Sequence, residues 1–393
     1  MHVSADFPDP FEPNKTPVIR SLLDITADGF DHRAVSINRR NPGGPAFARG
    51  LLPRGQETGI AICEQSFDYG TTLQYAAPPR GLFHKTMLHR LGDWLAARLA
   101  GAPGPDLLVA HKLTIEGIAV RRAATRLNLP FALVIQGNTD LKILAARPDL
   151  RGEFRRIFHD AAAVLPFAPW ALRGVEARLG CRAGPVHMMP CPTDLDRPLT
   201  PVVGDGTLVS AFHLRNLAGK NLAGLCSALR LTARQGHRLH LSVIGGGSEA
   251  DLAQGRALAA GLDAVAFEGP LGRAALRDRM HRATGFAMPS HRESFGLVFV
   301  EALMAGLPII YPSGAAVDGW FDGLPFALRV DARDHRAIAR AMLALVRDEA
   351  RLKAELARWQ RSDDARRFMR PAIADVFGRG LREAIGRGRS AQA

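Results

Sequence analysis

Short apolar runs recur along the chain, separated by segments of helical period. LLVAHKL, PFALVIQGN, TLVSAF, LHLSVIGGG, AVAFEGPLG and PIIYPSG each read as a strand, and Ala-, Leu- and Arg-rich stretches such as IAVRRAATRL fall between them. This β-α-β rhythm predicts an α/β protein whose parallel sheets are covered by helices. Ligands are then expected outside the carboxyl ends of the strands, in the loops that follow. The rhythm breaks near the middle, at the Pro- and Asp-rich stretch PCPTDLDRPLTPVVGDG (190–206), which reads as a linker. The expected organisation is a first domain over 1–190, a second over 200–365, and a basic C-terminal helix over 366–393 that packs back on the first domain. A further helix is expected from Leu82 onward. It has Phe83, Met87, Leu91, Trp94, Leu95 and Leu99 on one side and Lys85, His89, Arg90 and Arg98 on the other, a pattern that favours core packing over an interfacial role.

The composition suits two soluble domains: 393 residues, 47% hydrophobic and 23% charged. No apolar run reaches the length of about eighteen residues that crosses a bilayer, which argues against an integral membrane protein. The opening MHVSADFPDPFEPNK lacks the basic and apolar regions of a secretory leader, so a cytoplasmic location is expected. Cys63, Cys181, Cys191 and Cys226 are scattered without a Cys-x-x-Cys pair, against both a disulfide framework and a thiolate zinc site. The net charge is +13, but only six of the 51 basic residues are lysines, an imbalance that resembles GC-rich coding bias more than a binding design. Residues 366–393 hold seven arginines against Asp375 and Glu383. They read either as a solvated helix or as a peripheral contact with an anionic membrane. Without an aromatic-interleaved basic stripe or zinc-finger spacing, nucleic acid is not an expected partner.

The chemistry concentrates in PSHRESFGLVFVEALMAGLPIIY (289–311). A strand ending near Met288 enters a loop at Pro289, and helical period resumes at about Gly296 until Gly306 and Pro308 stop it. The free amides of Ser294, Phe295, Gly296 and Leu297, with the helix dipole behind them, form an anion site that suits a diphosphate. Glu293 just before the helix and Glu301 about two turns inside it suit sugar hydroxyls, because carboxylates accept hydrogen bonds and repel phosphate. A second segment, TLVSAFHLRNLAGKNLAGL, follows a strand with Arg215 and Lys220, cations suited to a phosphate leaving group. A third, LSVIGGGSEADL, places Gly245 and Gly247 in a turn that also satisfies a dinucleotide fingerprint, weak by itself. Asp194-Leu195-Asp196 is the one candidate for metal ligation. It lacks a third hard ligand, so no essential metal or cofactor is expected.

In these motifs the chain resembles the family 4 glycosyltransferases of the GT-B fold. Their hallmark, Glu-x7-Glu in a Pro-Ser…Glu-x-Phe-Gly…Glu-Ala setting, is matched by Glu293 and Glu301, and their Arg and Lys five residues apart by Arg215 and Lys220. The resemblance implies two Rossmann-like domains with parallel sheets facing an interdomain cleft, and a retaining transferase. Glu293 would contact the transferred sugar, Glu301 the ribose and Ser294 to Leu297 the diphosphate. Gly245 and Gly247 would turn close to the nucleotide, and Leu271 would lie near the base edge. The first half departs from the family. Asn14-Lys15-Thr16 stands where it has Gly-Gly, and Gln136 where it commonly has His, which leaves Gln136 and the loop residue His111 as candidates on the acceptor or sugar side. The implied activity is transfer of a hexosyl unit from a nucleotide-diphosphate sugar to a saccharide or lipid-linked saccharide, in cell-surface polysaccharide biosynthesis. The alternatives are a nucleotide-sugar 2-epimerase of the same architecture and a non-catalytic basic binding protein.

Overall fold

The computed structural model describes residues 1–40, 62–77, 83–101 and 103–392. The chain divides into two compact units: Met1–Phe167, Ala171–Met189 and Ile373–Ala393 form the first, and Ala168–Trp170 with Pro190–Ala372 the second. The start of the second unit at Pro190 coincides with the beginning of the predicted linker. The last helix, Arg370–Gln392, is shared, its residues from Ile373 onward belonging to the first unit.

The first unit is built on a seven-stranded sheet in the order β3-β4-β2-β1-β5-β6-β7. Its strands are β1 (His2–Ser4), β2 (Ala34–Arg40), β3 (Ile62–Phe67), β4 (Gly70–Ala76), β5 (Leu108–Ala110), β6 (Phe131–Ile135) and β7 (Ala163–Pro166). All pairings are parallel except β3 with β4 at the edge. Sequence follows position: β6, Phe-Ala-Leu-Val-Ile, is buried throughout, as a strand covered on both faces must be, while the edge strand β3 carries Glu64 and Gln65 to solvent. The amphipathic helix His84–Leu99 buries Met87, Leu91 and Leu95, so its stripe is core, as the spacing favoured. Gly92 permits the close crossing with helix Glu116–Leu127, since a Cβ there would lie 2.6 Å from the Ala119 carbonyl oxygen. Phe83 does not join that stripe; it precedes the helix in a left-handed conformation and is exposed, and Leu82 lies outside the described residues.

The second unit has a six-stranded sheet in the order β10-β9-β8-β11-β12-β13, parallel throughout. Its strands are β8 (Thr207–Ala211), β9 (His240–Ile244), β10 (Val265–Gly269), β11 (Gly285–Ala287), β12 (Ile309–Pro312) and β13 (Ala327–Val330). Strand order reverses between β8 and β11, as it does between β1 and β5 in the first unit. In doubly wound sheets such a switch point opens a crevice at the strands' carboxyl ends.

Candidate functional site

At the switch point of the second unit, β8 leads into a 3-10 turn (Leu214–Asn216) carrying Arg215, which is exposed, and then a short helix ending at Lys220. Asn221 follows in a left-handed conformation and does three jobs with one side chain. Its Oδ1 caps helix Leu222–Arg234 through the Gly224 amide, and its Nδ2 donates to the carbonyls of Pro289 at 2.9 Å and Ala332 at 2.7 Å. The loop after β11 is thereby tied to the loop after β8. A second tie runs from the His291 amide to the Gly219 carbonyl at 2.9 Å. Lys220 and Glu293 consequently meet, the ammonium donating to Glu293 Oε2. Sequence reasoning passed over Asn221, although an Asn just before a helical run is an ordinary N-cap signal.

Glu293 leads to helix Leu297–Met304, capped by Gly296 at φ +74°, where a Cβ would crowd Phe299 and Glu293 itself. Among the described residues no acceptor meets the amides of Phe295, Gly296 and Leu297. Ser294 differs from expectation. Its amide donates to the Glu293 carboxylate, Oε1, at 3.2 Å, because the loop bends that side chain back over its own main chain. Cys191 is buried close by; burial first, and then the Glu293 charge, push its thiol well above the ordinary range. Glu301 projects from the second turn of the helix. Its Oε1 accepts from Thr193 Oγ1 at 2.8 Å, and burial raises its carboxyl against the lowering effect of that bond. Thr193 too was read only as linker.

Gly245 and Gly247 turn the chain after β9 against the loop after β8. A Cβ on Gly245 would overlap the Phe212 carbonyl, and one on Gly247 would lie 2.7 Å from Leu214 Cβ. The Leu214 amide donates to the Gly246 carbonyl at 2.8 Å, so these glycines seat the turn that carries Arg215. Leu271 is half-buried after β10. Asp194 and Asp196 serve arginines: Asp194 pairs with Arg273 and, at 2.8 Å, with Arg370, whose amide donates to Asp196.

In the first unit Gln136 is half-buried directly after β6. His111 is a correction to its reading as a crevice residue. It has no exposure, its Nε2 meets His2 Nδ1 at 3.1 Å, and His2 Nε2 meets His32 Nδ1 at 3.0 Å. Directly after β5 it packs against the His2 ring of β1, and burial lowers its pKa to about 3. The next residue, Lys112, was not foreseen. It pairs with Asp6 at 2.6 Å, and burial, which would lower its pKa, is more than offset by Glu116 and Asp6. Glu116 accepts from the Ala5 amide at 2.6 Å, and burial raises its carboxyl to about 7. Asp140, equally buried and also raised by burial, accepts from the Thr114 amide and hydroxyl. The C-terminal arginines are largely engaged: Arg379 with Asp375, Arg387 with Glu383, and Arg382 over the Phe30 ring.

Residues 205–361 match the family described as glycosyl transferases group 1. The match falls wholly within the second unit, and there the chain is similar to the group 1 glycosyl transferases. Relatives include the D-inositol 3-phosphate glycosyltransferase of Streptomyces scabiei, 37% identical over 118 residues, which are 27% of this chain and 25% of that protein. The enzyme of the same description from Xylanimonas cellulosilytica is 31% identical over 217 residues, 49% of this chain and 51% of its own. The chain thus matches a quarter to a half of the length of these relatives. Among solved structures, sucrose-phosphate synthase from Thermosynechococcus elongatus superposes with a TM-score of 0.68 at 20% identity, covering 98% of each chain. HepE from Anabaena, in complex with UDP and glucose, gives 0.62 at 15% identity over 97% of this chain and 98% of its own. These likenesses, which span both units, show the GT-B fold.

Proposed function

We propose that the protein is a retaining glycosyltransferase that moves a hexosyl unit from a nucleotide-diphosphate sugar to a saccharide or lipid-linked saccharide, in cell-surface polysaccharide biosynthesis in the cytoplasm. One observation carries the reading: Lys220 and Glu293 are brought together at the β8–β11 switch point beside the unpartnered amides of Phe295, Gly296 and Leu297. A cation and a row of amides suit the charge that develops on a departing diphosphate, and a carboxylate suits the hydroxyls of the sugar it leaves. Arg215, exposed on the neighbouring turn, adds a second cation. On this reading the incoming diphosphate takes over the Lys220 ammonium, and Glu293 exchanges it for sugar hydroxyls. Among the described residues no pair stands as nucleophile and acid, so on this reading the acceptor attacks on the face the diphosphate leaves, and a phosphate oxygen takes its proton. The reading invokes no metal, since Asp194 and Asp196 already serve arginines. Contact with an anionic membrane through the last helix would have to compete with the pairs made by Arg379 and Arg387.

The test is to incubate the chain with UDP- and GDP-sugars, with and without saccharide acceptors, among them D-inositol 3-phosphate, the acceptor in the relatives' names. Nucleoside diphosphate released only when acceptor is present, with the anomeric configuration kept in the product by NMR, is the expected result. Isomerisation of the donor alone, or no turnover with any pair, overturns the reading.

A further inference from the structure

Thr193 stands where the segment after Pro190 passes the helix that carries Glu301. Its hydroxyl oxygen accepts from the Leu195 amide at 3.2 Å and donates to Glu301 Oε1 at 2.8 Å. A hydroxyl has a single proton. With the Leu195 amide occupying a lone pair and the side chain only 3% exposed, that proton is directed at the carboxylate and not at water. The segment is fixed from the far side as well, since Asp194 pairs with Arg273 and Arg370 and Asp196 accepts from the Arg370 amide. Thr193 is thus held from both sides, and it holds one oxygen of Glu301. Among the described residues the other oxygen, Oε2, has no hydrogen-bond partner.

We propose that Thr193 is a positioning residue that fixes the Glu301 carboxylate in one orientation, leaving Oε2 to accept from the vicinal hydroxyls of the donor's ribose. The inference rests on the reading of the site as one for a nucleotide sugar. It assigns a binding task to a stretch that otherwise reads as linker. Two consequences separate it from simple packing. Loss of the hydroxyl must weaken recognition of the ribose hydroxyls and nothing else on the ligand. It must also move the acid limit of binding, because the Thr193 bond opposes the upward push of burial on Glu301.

The experiment measures calorimetric affinities of UDP, GDP and their 2′,3′-dideoxy counterparts for the wild type, Thr193→Val, Thr193→Ala and Thr193→Ser. The wild type should prefer the ribonucleotide. Thr193→Val should bind it about tenfold more weakly and leave the dideoxy compound unaffected, so that the preference disappears, and Thr193→Ser should restore it. In Thr193→Val, binding of the ribonucleotide should also begin to fail at a higher pH as the solution is acidified. Thr193→Ala, which removes the hydroxyl without adding an apolar branch, carries the same expectation should the valine variant not fold. Equal weakening of both compounds, or of neither, overturns the role of Thr193, as does a wild type indifferent to the ribose hydroxyls while still binding nucleotide. A wild type that binds neither UDP nor GDP overturns the nucleotide-sugar reading, and this inference with it.

Discussion

At the switch point between β1 and β5 the charged side chains face one another inside the protein. At the one between β8 and β11 they stand part-exposed beside unpartnered amides. Lys112 is 8% exposed and Lys220 18%, a modest difference in area that accompanies a large one in company. Lys112 has Asp6, Glu116 and Asp140 acting on it, two of them wholly buried, whereas Lys220 has the single carboxylate of Glu293. Two sheets of the same doubly wound kind thus put lysines at the same topological point to opposite uses. In the first unit the lysine neutralises carboxylates that burial penalises. In the second it is part-exposed and paired with one carboxylate, as the proposed claim on it by an incoming diphosphate requires.

Removing each lysine should expose the contrast. Replacing Lys112 by Met keeps the length of the side chain and discards the charge, which leaves Asp6, Glu116 and Asp140 without their ammonium. Breaking a buried pair from one side costs about 3–5 kcal/mol. Urea denaturation of Lys112→Met should show a loss of that order, and a loss under about 1 kcal/mol would mean that the cluster takes up protons instead of relying on the lysine. Lys220→Ala should leave the unfolding midpoint almost unchanged, because a part-exposed pair is worth at most about 1 kcal/mol. Its transfer rate should nevertheless fall by about a hundredfold or more, the usual cost of losing charge stabilisation on a leaving group. Undiminished release of nucleoside diphosphate by Lys220→Ala would remove the lysine from the chemistry.

The same contrast explains what could be read from the sequence. The site of the second unit is written locally: Arg215 and Lys220 lie five residues apart, Glu293 and Glu301 eight apart, and each pair follows a strand whose apolar run is plain. A loop and the first turns of its helix are enough to assemble them, so their types and spacing carry the information. The cluster of the first unit draws on residues 6, 112, 116 and 140, from the ends of three strands and the helices after them. Only the strand order brings these together, and spacing along the chain is silent about it. Glu116 in particular, at the start of an amphipathic helix, looks like an ordinary solvated first-turn acid. His111 was misplaced for a related reason: period two decides which sheet face a residue meets, but not that the face beside His111 would be filled by His2. The capture of the Ser294 amide by Glu293 depends on a side-chain rotamer, and sequence does not specify rotamers.

A smaller effect, confined to the first unit, tests whether its carboxylates are held at a cost. Glu116 has a carboxyl raised by burial, opposed by Lys112, to about 7. A folded-state value above the unfolded one means that the folded protein holds the proton more tightly, so this contribution is full below about 4.5 and is lost as pH rises through 7. Glu116→Gln keeps an oxygen for the Ala5 amide and cannot ionise. Relative to wild type it should therefore gain stability as pH rises from 6 to 8.5, by on the order of 1–3 kcal/mol, read from urea midpoints at each pH. The histidines cancel in this difference, because both proteins carry them. Burial holds His111 down to about 3 and His32 to about 4, and their linkage, of opposite sign, removes stability only as pH falls below the 6.5 of an unfolded histidine. A difference between Glu116→Gln and wild type that stays flat from pH 6 to 8.5 would mean that Lys112 keeps Glu116 ionised throughout. The first unit's cluster would then be a balanced salt-bridge network, and the distinction from the second unit would reduce to exposure alone.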